Sequence, residues 1–244
     1  MLIELGTGFL LINKPAGITS YGCIGYLKRI IRQKKVKIGH AGTLDPFATG
    51  LLIVAIGREA TKLMSRIMTL EKTYVAKAKL GELTDTLDYT GTVIKTVEAP
   101  PISAEMLCNA LLSFGSSYEQ TPPLYSALKY QGDALYKLVR QKRLSEQELE
   151  EIAEQKKKIV QLYQLELLSY EFPFFTIKAR VSHGTYIRSL VNDIAERVGS
   201  CATTYELERS AIGKFMLDAS VDLYTLNTVE DINQHLIAVE DIDF

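Results

Sequence analysis

The sequence predicts an α+β fold built on a mixed, mostly antiparallel sheet, and three observations predict it. Helical and strand-like segments follow one another without the regular strand–helix–strand spacing of a parallel α/β sheet. Residues 51–56 (LLIVAI) form an apolar run with the length of a buried strand. Residues 72–80 (KTYVAKAKL) alternate polar and apolar side chains, as a half-buried strand does.

The elements follow in order. Residues 8–12 (GFLLI) read as a first strand, stopped by Pro15 and Gly17. Thr19 or Ser20 caps a helix whose apolar positions Ile24, Leu27, Ile30 and Ile31 recur at helical spacing. Residues 59–68 are a second helix. After the strand at 72–80, a turn through Asp85 to Thr90 leads to its expected hairpin partner, residues 91–94. Ala99-Pro100-Pro101 is a break, and Ser103 caps a helix carrying Met106, Leu107 and Leu111. Residues 132–141 and 145–153 read as helices, the second strongly acidic. Strands are expected at 160–170 and 174–181, then an amphipathic helix at 186–198 closed by Gly199. A last strand near 205–209 precedes a short helix after Asn227.

With 244 residues, 47% of them hydrophobic and 23% charged, the chain has ample material for a core. No stretch approaches the roughly 20 apolar residues needed to span a bilayer. The start, Met1-Leu2-Ile3-Glu4-Leu5, lacks a basic region and a small-residue cleavage site, so no signal peptide is expected. Cys23, Cys108 and Cys201 are odd in number and widely spaced. Reduced thiols, a cytoplasmic setting and no metal or other cofactor are the expectation.

A formal charge of −1 hides an uneven distribution. Residues 221–244 hold six acids and no Lys or Arg, and read as an acidic C-terminal tail. Removing those six from the 29 acids leaves 23 against 28 basic residues, a surplus of five. Lys28, Arg29, Arg32, Lys34, Lys35 and Lys37 run together with no acid among them. Lys129, Lys137, Arg140, Lys142 and Arg143 gather against Asp133 alone, with Tyr130 and Tyr136 interleaved. Each run suits a solvated helix face or a phosphate backbone.

The densest pattern is residues 39–52, GHAGTLDPFATGLL. Gly39, Gly42 and Gly50 allow close approaches that a Cβ forbids, and Pro46 keeps Asp45 out of the helical region. Asp45 thus stands in a stiff turn at the mouth of a buried strand. Taken alone, it either closes a loop through local hydrogen bonds or does chemistry.

This pattern resembles the catalytic motif of the TruB family of tRNA pseudouridine synthases, and five further segments resemble that family in the same order. They are residues 13–20 (NKPAGITS), Lys72-Thr73-Tyr74, residues 120–140 (QTPPLYSALKYQGDALYKLVR), residues 184–188 (GTYIR), and Leu207-Glu208-Arg209 through Gly213-Lys214-Phe215. The resemblance implies a pseudouridine synthase fold over residues 1–220, its sheet flanked by helices across a central RNA-binding cleft. It also implies an inserted RNA-gripping arm roughly spanning 98–157. Many relatives carry a C-terminal RNA-binding (PUA) module, and none is expected in the 29 residues beyond Phe215.

The implied reaction isomerises uridine 55 in the T-loop of tRNA. Asp45 would be the nucleophile, attacking C1′ of the ribose or C6 of the uracil. Arg188 would keep it ionised where burial favours the neutral acid. Tyr74 would stack on the base and take its C5 proton. A free phenol ionises near pH 10, so this needs help from the cleft or from water. Tyr186 and Leu207 would frame the uracil. His40, structural or exposed when read alone, would fill the space left by a flipped nucleotide. Lys14 would support the Asp45 turn or touch phosphate. Lys129, Lys137 and Arg140 would position the RNA backbone. The expected partner is the tRNA T-arm, met by a monomer with no membrane contact. A non-catalytic tRNA-folding module and an RNA-guided relative are the alternatives. The acidic helix after Arg140 departs from the family pattern, which continues there with a glycine and a short basic turn.

Overall fold

The computed structural model describes residues 4–33, 35–98 and 101–242. Met1, Leu2 and Ile3, Lys34 of the basic run, Ala99-Pro100 of the expected break and Asp243 of the acidic segment lie outside the described residues. The chain forms two compact units, Met1–Tyr74 with Leu207–Phe244, and Val75–Glu206.

The first unit opens with β1 (Gly8–Lys14), α1 (Ser20–Ile31), β2 (Ile38–Ala41), β3 (Thr49–Ile56) and α2 (Arg58–Thr69). β1 and β3 pair antiparallel along their length, Gly8 opposite Ile56 and Lys14 opposite Gly50. Both faces of this pair are covered, so both strands read as unbroken apolar runs. Leu10, Ile12, Leu52, Val54 and Ile56 pack on Cys23, Ile24 and Leu27 of α1. Phe9, Leu11, Leu51, Ile53 and Ala55 share a second cluster with Ala60 and Ile67 of α2. Thr19, not Ser20, caps α1, its hydroxyl accepting from the Gly22 N–H at 2.8 Å.

The second unit takes up the chain within β4 (Lys72–Leu80) and continues through β5 (Glu82–Thr84), β6 (Val93–Thr96), α3 (Ala104–Leu112) and β7 (Ser117–Gln120). Next come β8 (Lys129–Tyr130), β9 (Asp133–Ala134), α4 (Leu135–Arg140), α5 (Glu146–Gln155), β10 (Lys158–Glu171), β11 (Phe174–Val181) and α6 (Ile187–Arg197). Its sheet runs in the order β4, β11, β10, β7, with α3 packed against β10 and α6.

Two sequence expectations fail here. Residues 91–94 do not pair with β4. β6 pairs instead with β5, Glu82 opposite Thr96, because the chain breaks at Gly81 (φ +84°). Residues 132–134 are not helical. Gln131 and Gly132, both at positive φ, turn a two-residue hairpin between β8 and β9, and α4 starts only at Leu135. β7 pairs antiparallel with β10, Gln120 opposite Lys158. Leu135, Leu138, Leu149 and Ile152 give residues 124–155 a small core of their own.

The chain re-enters the first unit along β12 (Ala202–Ile212), followed by β13 (Phe215–Met216), β14 (Val221–Asp222), α7 (Val229–Gln234) and β15 (Leu236–Ala238). Residues 221–238 are therefore not a solvated tail. β14 and β15 both pair with β1, and Leu223, Leu226 and Ile232 sit in the α1 cluster. Asp222 and Asp231 of this segment cap turns and leave the core apolar. Asp231 accepts from the Asn227 and Thr228 N–H groups, which lower its pKa. Among the described residues, no helix is long and apolar enough to cross a membrane. Ile232→Ala is expected to lower the unfolding free energy by about 2–5 kcal/mol, read as a lower urea midpoint, whereas a solvated tail would lose nothing.

Candidate active site

In the first unit, residues 42–48 link β2 to β3 and carry Asp45, which is half-buried. The turn is fastened on both sides of the carboxylate. Before it, the Ser20 hydroxyl accepts from the Leu44 N–H at 2.9 Å and donates to the Leu44 carbonyl at 3.2 Å. After it, the Pro46 carbonyl accepts from the Gly17 N–H at 2.8 Å and from Lys14 Nζ at 3.2 Å. Arg209, 1% exposed, donates to the Gly42 carbonyl at 3.1 Å and to the Leu51 carbonyl at 2.8 Å. Arg209 lies opposite Gly50 in the parallel β3–β12 register, where a Cβ on Gly50 (φ +106°) would stand 2.4 Å from the Arg209 carbonyl oxygen. Only glycine lets the two strands close and deliver that guanidinium to the turn.

Lys14 is fully buried, and its ammonium also donates to the Pro15 and Ile18 carbonyls at 2.9 and 2.8 Å. Its three protons are thus spent on backbone. Lys14 thus ties down the Asp45 turn and has no exposed surface. Burial lowers its pKa to about 8, against the raising influence of Cys23 and Asp45, with Arg209 lowering it further. Lys72 of the KTY segment is likewise buried. It donates to the Met68 and Leu70 carbonyls at the end of α2, and burial followed by Arg209 lowers it to about 8.

His40 lies on β2 opposite Val54 with its Nδ1 buried. Burial, then Arg209, lowers its pKa, so the imidazole is neutral at pH 7. Tyr74 on β4 and Leu207 on β12 belong to this unit as well, 9% and 6% exposed.

In the second unit, Tyr186 precedes α6 and Arg188 stands in its first turn. Arg188 is 4% exposed. It donates to the Thr86 carbonyl and, at 3.0 Å, to the Tyr125 carbonyl, and it pairs with Asp88 at 3.5 Å. Asp88 is buried and accepts from the Thr90 N–H and hydroxyl. Lys129, Lys137 and Arg140 are exposed on the β8–α4 arm, with the Arg140 guanidinium over the Tyr136 ring at 5.8 Å.

Sequence reasoning missed Ser20 as a clamp, Arg209, Lys72, Asp88 and Gln120. Four of them stand inside the motif segments without an assigned role. Asp88 lies in a polar turn with nothing in the local sequence to mark it.

The first unit thus holds a carboxylate on a rigid turn with buried cations around it, and the second, by itself, a buried guanidinium on a helix start. In overall architecture the chain is similar to the solved chains of a Cbf5–Nop10–Gar1 complex (TM-score 0.66, 25% identity, 91% of this chain and 54% of that one). It is similar too to a chain of an H/ACA ribonucleoprotein bound to a substrate RNA containing 2′-deoxyuridine (TM-score 0.64, 24% identity, 91% and 52%). It spans about half the length of those chains. The fold is that of a pseudouridine synthase, an α+β architecture around a large mixed sheet. Residues 28–187 match the TruB family pseudouridylate synthase N-terminal domain. The chain is 40% identical over 233 residues to the tRNA pseudouridine synthase B of Clostridium tetani, covering 96% of itself and 76% of that relative. It is 38% identical over 230 residues to that of Protochlamydia amoebophila, covering 94% and 83%. The chain belongs to the TruB family of pseudouridylate synthases and is an isomerase.

Lys14→Met removes the donor shared by the Pro15, Ile18 and Pro46 carbonyls and is expected to cost about 1–3 kcal/mol of stability at pH 7. Because folding lowers the Lys14 pKa to about 8, the unfolded chain holds more protons between that value and 10.5, and stability rises with pH there. The methionine variant lacks this gain. Its deficit in urea unfolding therefore widens above pH 8.

Proposed function

We propose that this chain converts uridine 55 in the T-loop of tRNA to pseudouridine, with Asp45 as nucleophile. The observation that carries the reading is the Asp45 turn, pinned at Gly42, Leu44 and Pro46 by Arg209, Ser20 and Lys14. A nucleophile must be held within a fraction of an ångström of its attack geometry, and a loop held only at its ends does not achieve that. The relatives named tRNA pseudouridine synthase B support tRNA as the substrate.

Uridine and pseudouridine contain the same atoms, so the reaction needs neither redox chemistry nor an energy source. The N1–C1′ bond breaks, the uracil turns, and a C5–C1′ bond forms while C5 loses a proton and N1 gains one. Asp45 bonds covalently to C1′ or C6 and is released when the new bond forms. In this reading Arg188 keeps the carboxylate ionised, while Asp88 and two carbonyls hold the guanidinium in place. Tyr74 stacks on the everted base and accepts the C5 proton. Tyr186 and Leu207 frame the ring, and the neutral imidazole of His40 occupies the gap in the stack. Lys129, Lys137 and Arg140 bind phosphates of the T-arm.

Incubation with an unmodified tRNA transcript, followed by chemical mapping, is expected to place pseudouridine at position 55. Asp45→Asn is expected to give no product while binding tRNA with near wild-type affinity; equal product from that variant removes Asp45 as nucleophile. Lys137→Ala with Arg140→Ala is expected to weaken binding. It should also flatten the dependence of log affinity on log salt by about 0.7–0.9 for each phosphate no longer neutralised, measured by filter binding over a salt series.

A further inference from the structure

We propose that Gln120 is a positioning residue for the reaction, fixing the start of α6 and through it the Tyr186 ring and the Arg188 guanidinium. The inference rests on the reading of Tyr186 and Arg188 as site residues. Gln120 ends β7 opposite Lys158 of β10 and is 1% exposed. Its Oε1 accepts from the Tyr186 N–H at 2.7 Å, and its Nε2 donates to the Tyr186 carbonyl at 3.0 Å. One carboxamide thus satisfies both backbone groups of the residue that caps α6. Tyr186 makes no side-chain cap bond, and Gln120 holds the backbone where α6 begins.

The geometry also fixes proton direction. Tyr186 presents an N–H and a C=O, which admits only one orientation of the amide. The second Nε2 proton then goes to the Tyr118 hydroxyl, and that hydroxyl donates to Asp193 Oδ2 at 3.0 Å. Asp193 lines a surface cavity of about 350 Å³ with Phe114, Thr121, Lys157 and Arg197. A hydrogen-bonded relay, buried at Gln120 and part-buried at Tyr118 and Asp193, therefore runs from the cavity wall to the residue two places before Arg188. Burial drives Asp193 up to about 6, partly offset by its bond from Tyr118, and the Tyr118 phenol upward as well, so the phenol keeps the proton it donates. The charged groups facing the relay are Asp193, Glu196 and Arg197 of α6 and Lys158 of β10, whose ammonium lies 5.8 Å over the Tyr186 ring.

The test is single-turnover pseudouridine formation by the full chain on a tRNA transcript, with tRNA affinity and the urea midpoint measured alongside. Gln120→Leu is expected to lower the rate at saturating tRNA by about tenfold or more, with affinity within about twofold, since small misplacement of a reacting group carries such losses. Gln120→Glu keeps the shape and supplies a readout that stability alone does not move. As a carboxylate it cannot donate to the Tyr186 carbonyl; as a neutral acid it accepts from the N–H and donates to the carbonyl. Its rate per folded enzyme, relative to wild type, is therefore expected to rise as pH falls. A wild-type rate in either variant at every pH, or a loss confined to tRNA affinity, overturns the positioning role while wild type forms pseudouridine and Arg188→Ala, which lacks the guanidinium, forms none. An inactive wild type overturns that reading and this inference together.

Discussion

The first unit depends on the burial of one ammonium. Lys14 lies at the end of β1 with no exposed surface, and its three protons gather the Pro15, Ile18 and Pro46 carbonyls onto one point. Removing a cation from water costs several kcal/mol unless it is fully hydrogen-bonded. Here the bonding is complete, and it joins the strand, the loop entering α1 and the turn bearing Asp45. The same side chain that ties the loops together is a positive charge near the carboxylate. Structure and electrostatics at Asp45 are therefore one arrangement. Arg209 repeats the scheme from the other side, reaching the Gly42 and Leu51 carbonyls from β12.

The second unit anchors its guanidinium differently. Arg188 is held by two carbonyls and Asp88, and the helix that carries it is held by Gln120. A charged side chain fixed at its tip and at its backbone has little freedom left, which is what electrostatic preorganisation requires. The exposed basic residues of the arm lack this double hold, as suits the phosphate-binding role proposed for them.

Much of this was legible in the sequence, for identifiable reasons. β1, β3, β4 and α1 declare themselves through strong apolar periodicity, and the burial of both faces of β1 and β3 follows from their unbroken runs. The Asp45 turn was legible because glycine and proline restrict the backbone locally. What failed was decided by distant packing. The acidic residues of 221–238 outweighed Leu223, Leu226 and Ile232 in a reading by composition, although those three carry the segment into the core. β6 found β5 because of a break at Gly81 that alternation does not reveal. Asp88 and Gln120 act through partners 100 and 66 residues away, Arg188 and Tyr186, and no local pattern encodes such pairings.

The hold of Arg209 on the Gly42 carbonyl spans 167 positions along the chain. On the ribosome, strands β1 to β3 emerge and pair long before β12 does, so the turn first exists with one of its fastenings missing. A nascent chain short of residue 209 carries Asp45 in a loop that lacks this fastening. The fully fastened turn is in this sense a mark that β12 has been made, withheld from any product truncated upstream of it.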